Sequence, residues 1–158
     1  MLEYGVHRRE FSGGEVATTN NRMELRAAIE GLSALKTPCR VEFFTDSQYV
    51  KNGMTLWIEG WKRKGWRMKS RKPVKNMDLW QALDAAVAKH TVTWRWVKGH
   101  TGQAGNECCD LLANAAMDRI EEEFPSSQRA EALKQFQAAS PSVPGWDGFD
   151  ALAPSGGA

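Results

Sequence analysis

Apolar positions recur at helical spacing in three stretches of this chain and alternate in others. Ala28, Ile29, Leu32 and Leu35 share one face of a helix predicted over residues 21–35, which Asn20 or Asn21 can cap. Thr37-Pro38 ends it. Leu79, Trp80, Leu83 and Val87 mark a second helix, opened by Asn76 as N-cap and closed near His90. Leu111, Leu112, Ala115, Ala116 and Ile120 mark a third, from residue 106 to about 123. Between these lie strand signals. Residues 41–45 are rich in β-formers. In residues 91–97, Val92, Trp94 and Trp96 alternate with Thr91, Thr93 and Arg95, so these tryptophans are expected in the core. Residues 1–12 read as strand, with a turn at Gly13-Gly14. Short helical pieces are predicted at residues 47–53 and through Trp57 and Trp61. Residues 98–105 form a glycine-rich loop.

The pattern fades toward the C-terminus. Pro125 should end the third helix, and a short helical stretch is possible over residues 130–137. From Ser140 onward the sequence is dominated by Pro, Gly, Ser and Ala, as expected of a flexible tail. The chain therefore divides into a domain over 1–123 and a tail over 124–158. Helices alternating with short strands indicate an α/β fold.

At 158 residues the chain is long enough for one domain with a core. It has no apolar run near the roughly 18 residues a membrane span requires, and no secretory h-region at its start. A cytoplasmic monomer is expected. Cys39, Cys108 and Cys109 lack zinc-site spacing and read as reduced thiols. Charge is unevenly spread. Residues 1–118 carry 18 Lys+Arg against 13 Asp+Glu, whereas residues 119–158 carry 3 against 6. A basic domain suits a polyanionic partner.

The basic excess is concentrated. Residues 61–75, WKRKGWRMKSRKPVK, hold eight Lys or Arg and no acid. Lys62, Lys64 and Lys75 belong to this cluster, and Trp57, Trp61 and Trp66 interleave with it. Such a segment attracts phosphates in a salt-dependent way. Its tryptophans can pack on sugars and bases, or pin the segment to the body of the protein, and both uses can coexist.

Three carboxylates stand where chemistry could converge: Glu24 in the first turns of a helix, Asp46 at the end of a strand, Asp110 near the start of a helix. Ligands in α/β sheets bind beyond the carboxyl ends of strands. Hard cations such as Mg²⁺ bind through a few carboxylates, water and phosphate. His100, in the loop WVKGHTG, is suited to moving protons near neutral pH.

The segments NNRMEL, TDSQYV, KPVKNMDLW, WVKGH and NECCDLLA occur in the order and at the spacing of ribonuclease HI. Over roughly residues 5–118 the chain resembles that family. The resemblance implies a ribonuclease H-like mixed β-sheet flanked by helices, and an endonuclease that cleaves the RNA strand of RNA–DNA hybrids. It implies two Mg²⁺ ions per active site, with Mn²⁺ a possible substitute. Glu24, Asp46 and Asp110 match three of the family's four metal-binding acids, and His100 matches its loop histidine. Asn20, Asn21 and Gln48 match backbone-contacting positions, and amides can read a ribose 2′-OH. Residues 61–75 match the substrate-binding handle.

One element departs from the pattern. The family's fourth acid is an aspartate in a DGS-type motif on a central first strand, and this sequence has no Asp before Asp46. The expectation is an N-terminally truncated reading of an enzyme, poorly stable and with little or no activity. The alternative is a catalytically inactive hybrid-binding remnant.

Overall fold

The alternation of short strands and amphipathic helices builds one packed body and a looser flank. The computed structural model describes residues 1–99, 102 and 104–139. In chain order the elements are β1 (Leu2–Tyr4), β2 (His7–Arg9), α1 (Asn20–Ser33), β3 (Arg40–Thr45) and α2 (Gln48–Asn52). A π-helical turn (Gly53–Trp57) follows, then α3 (Ile58–Arg63), α4 (Met77–Val87), β4 (Thr91–Trp96), α5 (Ala104–Glu123) and α6 (Ser126–Ala139).

The strands form two separate ladders. β1 pairs antiparallel with β2, and β3 pairs parallel with β4, Phe43 opposite Trp94 and Thr45 opposite Trp96. The α/β class matches expectation, but the mixed arrangement appears as two two-stranded sheets rather than one. The N-terminal strand is also shorter than expected. It folds back at Gly5, whose φ of +58° suits a tight turn, and not at Gly13-Gly14. Gly14 lies instead against Ile120 of α5, where an added Cβ would come 2.4 Å from the Ile120 side chain.

The core lies where α1, α2, α3 and α4 meet one face of β3–β4. Leu25, Ala28 and Leu32 of α1 pack with Val50, Ile58, Trp61, Leu79, Trp80 and Leu83. Trp80 is fully buried. Its ring fills the space above Gly53, where a Cβ would come 1.9 Å from Cη2. Tyr49, Trp57, Trp61 and Trp80 form a closed circuit of ring contacts, with centroids 5.1–6.3 Å apart.

Three predicted helix starts differ in detail. Thr19, not Asn20 or Asn21, caps α1 by accepting from the Arg22 amide at 3.4 Å. Asn76 does precede α4, but in a left-handed conformation (φ 56°) and without a capping bond. Its amide donates to Tyr49 Oη at 3.1 Å and its carbonyl accepts from Arg22 at 3.4 Å. α6 replaces the short stretch expected over 130–137, so the part of the tail from Ser126 to Ala139 is helical. Residues 140–158 lie outside the described residues.

Candidate active site

β3 ends at Thr45, and the chain turns at once into α2. Thr45 Oγ1 accepts the Ser47 amide at 3.0 Å, and Ser47 Oγ accepts the Val50 amide at 3.2 Å. This is the usual short-side-chain start of a helix. It sets Asp46 at the carboxyl end of the parallel pair, exposed to solvent. Two groups bracket Asp46. The Trp96 indole donates to its backbone carbonyl at 3.2 Å. Gly99 lies against its carboxylate, so closely that a Cβ there would come 2.8 Å from Oδ2. Trp96 is thus 42% exposed and serves the site, contrary to the core position its alternation predicts.

Glu24 projects from the second turn of α1 toward the same end. Its carboxylate accepts the hydroxyl proton of Ser47. Burial pushes the Glu24 carboxyl above its ordinary range, and the negative charge of Asp46 adds to the rise, while the Ser47 hydrogen bond opposes it. Folding therefore brings Glu24 and Asp46 within electrostatic reach of one another, although 22 positions separate them. Oxygen-only donors in like-charge proximity, one of them half-buried, suit a hard cation whose remaining ligands are water and phosphate.

Asp110 lies in the second turn of α5, half-buried. Among the described residues, no group of three or more His, Cys, Asp or Glu side chains is placed to hold a metal. The structure thus pairs Glu24 with Asp46 but does not gather Asp110 into a three-acid cluster with them. The flank that carries α5 meets the N-terminal segment instead. Cys108 Sγ donates to Glu10 at 3.4 Å, and Arg119 donates to Ser12 Oγ at 2.5 Å. His100 lies outside the described residues.

Behind the acids is a polar strut that sequence reading missed. Arg22, two residues before Glu24, forms a two-pronged ion pair with Asp78 at 2.8 and 3.1 Å. Tyr49, two residues after Ser47, accepts from Trp80 Nε1 at 3.0 Å as well as from Asn76. These bonds tie the starts of α1 and α2 to the start of α4. A Ser followed three residues later by Val50, directly after a strand, was a readable cap signal. The Arg22–Asp78 pair had none, because 56 residues separate its members.

The basic segment begins in α3 and continues into a loop closed by backbone bonds from Met68 to Lys72 at 2.8 Å and from Val74 to Trp66 at 3.0 Å. Of the expected substrate-facing tryptophans, Trp61 is buried in the core, and Trp57 and Trp66 are half-buried against it. Their packing pins the loop to the body of the protein. Lys62 is engaged with Asp84 at 3.1 Å and Glu59 at 3.6 Å. Lys64, Lys69, Lys72 and Lys75 are exposed and make no ion pair among the described residues. Asn20 and Gln48 are exposed and Asn21 is half-buried, all at the helix starts beside the acids.

Known proteins are similar to this chain in sequence and in fold. The family profile described as RNase H matches residues 1–118. A ribonuclease H of Halorhodospira halophila is 61% identical over 120 residues, 76% of this chain and 80% of that protein. Ribonuclease H of Bordetella pertussis is 59% identical over 118 residues, 75% of this chain and 76% of its own length. Ribonuclease HI of Neisseria meningitidis is 61% identical over 114 residues, 72% and 79% of the two chains. Among solved structures, the crystal structure of LC9-RNase H1, a type 1 RNase H with the type 2 active-site motif, superposes with a TM-score of 0.60 at 40% identity. That match covers 73% of this chain and 61% of the other. Identity this high, sustained from the N-terminal hairpin to the middle of α5, makes the chain a member of the ribonuclease H family.

Proposed function

We propose that this protein cleaves the RNA strand of RNA–DNA hybrids by metal-assisted hydrolysis of the phosphodiester, leaving 5′-phosphate and 3′-hydroxyl ends. The observation that carries this reading is the Glu24–Asp46 pair at the carboxyl end of β3–β4, where burial, with the charge of Asp46 adding to it, holds the Glu24 carboxyl above its ordinary range. Glu24, Asp46 and Asp110 are the proposed ligands of two Mg²⁺ ions, with Mn²⁺ as a substitute. Such ions, held by these carboxylates, would supply activation of the attacking water and neutralisation of the charge on the leaving oxygen.

The chain's own residues do the positioning. Gly99 and the Trp96 indole confine Asp46. Ser47 orients Glu24. Lys64, Lys75 and their basic neighbours hold the hybrid's phosphates on a loop pinned by Trp57, Trp61 and Trp66. Asn20, Asn21 and Gln48 stand beside the acids, where their amides can both donate to and accept from a ribose hydroxyl. His100, four positions after Trp96 in sequence, is the proposed proton carrier.

A second reading is a hybrid-binding module without catalysis. It is favoured by the absence, among the described residues, of a three-acid group around Glu24 and Asp46. One experiment separates the two: Mg²⁺-dependent cleavage of a labelled hybrid by the 158-residue chain, beside its Asp46→Asn variant. Cleavage lost in the variant, with hybrid binding retained, supports the enzyme. Salt-sensitive binding with no cleavage by either protein supports the module, and cleavage retained by Asp46→Asn sinks the role given to Asp46.

A further inference from the structure

Among the described residues, Ser47 is the one buried polar side chain, at 6% exposure, and its hydroxyl both donates and accepts. A serine hydroxyl has a single proton and two acceptor lone pairs. Here the proton goes to Glu24, and a lone pair receives the Val50 amide that opens α2. The serine amide is itself spent on Thr45 Oγ1. The same oxygen atom thus starts a helix and orients a carboxylate on another helix, 23 positions earlier in sequence.

Neither task needs the other. Many residues can begin a helix, and aspartate or asparagine would do so as well as serine. An ionised aspartate could not donate to Glu24, and would set a third negative charge beside Glu24 and Asp46. The hydroxyl satisfies the helix start and supplies a donor without adding charge. It also ties Glu24 to α2, which is braced in turn by Tyr49 against Trp80 and Asn76.

We propose that Ser47 is a positioning residue for the metal site, holding the Glu24 carboxylate in its cation-binding orientation through the hydroxyl that also caps α2. This rests on the reading of Glu24 and Asp46 as metal ligands. A glutamate side chain has several rotatable bonds, and a ligand pre-oriented by a hydrogen-bonded neighbour binds metal more tightly than a loose one. Loss of such a neighbour typically weakens metal binding by about 10- to 100-fold.

The test is Mn²⁺ binding to the full chain, followed by electron paramagnetic resonance, alongside amide exchange at Val50. The variants are Ser47→Ala, Ser47→Gly, Ser47→Thr and Asp46→Asn. Ser47→Gly guards against a folding failure of the alanine variant, because glycine is tolerated at helix starts. The expected result is about tenfold weaker Mn²⁺ binding in Ser47→Ala and Ser47→Gly, with near-native affinity in Ser47→Thr. Faster Val50 exchange with unchanged Mn²⁺ affinity in Ser47→Ala or Ser47→Gly would reduce Ser47 to a helix cap and overturn the proposal. Wild-type protein with no Mn²⁺ site sensitive to Asp46→Asn would overturn the metal reading itself, and this proposal with it.

Discussion

The two halves of this molecule are built to different standards. Around α1, α2 and α4, large side chains vanish from solvent, with Leu25, Leu32, Trp80 and Leu83 at 0–1% exposure. In the flank formed by β1, β2 and α5, Ala116 is the only buried side chain of α5, Leu111 is 72% exposed and Val6 is 96% exposed. Yet α5 also carries apolar positions at helical spacing, Leu111, Leu112, Ala115, Ala116 and Ile120, in a weaker pattern than that of α4. Amphipathic periodicity says that a helix has something to bury. It does not say that a complementary surface is present to receive it. The α4 stripe meets α1, Gly53 and the aromatic circuit. Ile120 of the α5 stripe lies against Gly14, in the segment after the β1–β2 hairpin. Glu24 and Asp46, carried by the well-packed half, are brought together. Among the described residues, Asp110 of the flank joins them in no group of three or more that could hold a metal.

Truncating one large side chain in each half should separate the two most clearly. Trp80→Ala removes a fully buried ring and its bond to Tyr49, and should cost about 3–5 kcal/mol. Leu111→Ala removes a side chain already in water and should stay within about 0.5 kcal/mol. Urea unfolding of both variants is the measurement. Equal losses would mean that α5 is packed in solution as tightly as α4.

A second prediction divides the basic segment, whose tryptophans belong to the packed half while its lysines face water. In salt titrations of hybrid binding, Lys64→Ala and Lys75→Ala should each reduce the slope of log affinity against log salt by about one. Lys62→Ala should change it less, because Lys62 is already shared between Glu59 and Asp84. Equal slopes for all three would show that these ion pairs open when the hybrid binds.

The smallest effect is a pH dependence. Burial, and then Asp46, raise the Glu24 carboxyl above its ordinary 4.5. Between the unfolded and folded pKa values the native state therefore holds more protons than the unfolded one. Stability falls as pH rises through that window and is level above it. Asp78 behaves in the opposite sense. Its hydrogen bonds to Arg22 hold it below its ordinary 3.8, so the stability it adds is present above that value and is lost as pH falls through the lower one. Glu24→Gln should abolish the decline above pH 4.5 and leave the acid limb intact. An unchanged decline, followed by thermal melts across the range, would place its origin in another group.

Much of this was readable along the chain. The helices around Leu25, Leu79 and Leu112, the strands ending at Thr45 and Trp96, and the candidate acids follow from local periodicity and recognisable segments, because side-chain period and capping chemistry act over a few residues. Contacts between distant residues were not readable. Nothing local shows that Arg22 will pair with Asp78, that Asn76 will spend its amide on Tyr49 rather than on a cap, or that Trp96 will turn from the core to the Asp46 carbonyl. The same holds for the pinning of Trp57, Trp61 and Trp66, since composition cannot tell an aromatic ring that faces a ligand from one that faces a neighbour. Local sequence was enough for the main helices, for β3 and β4 and for the residues with the chemistry for a hydrolytic metal site, but not for the turn at Gly5 or the extent of α6. Tertiary structure alone decided which of those residues meet, because a carboxylate's environment is set by the elements that pack around it.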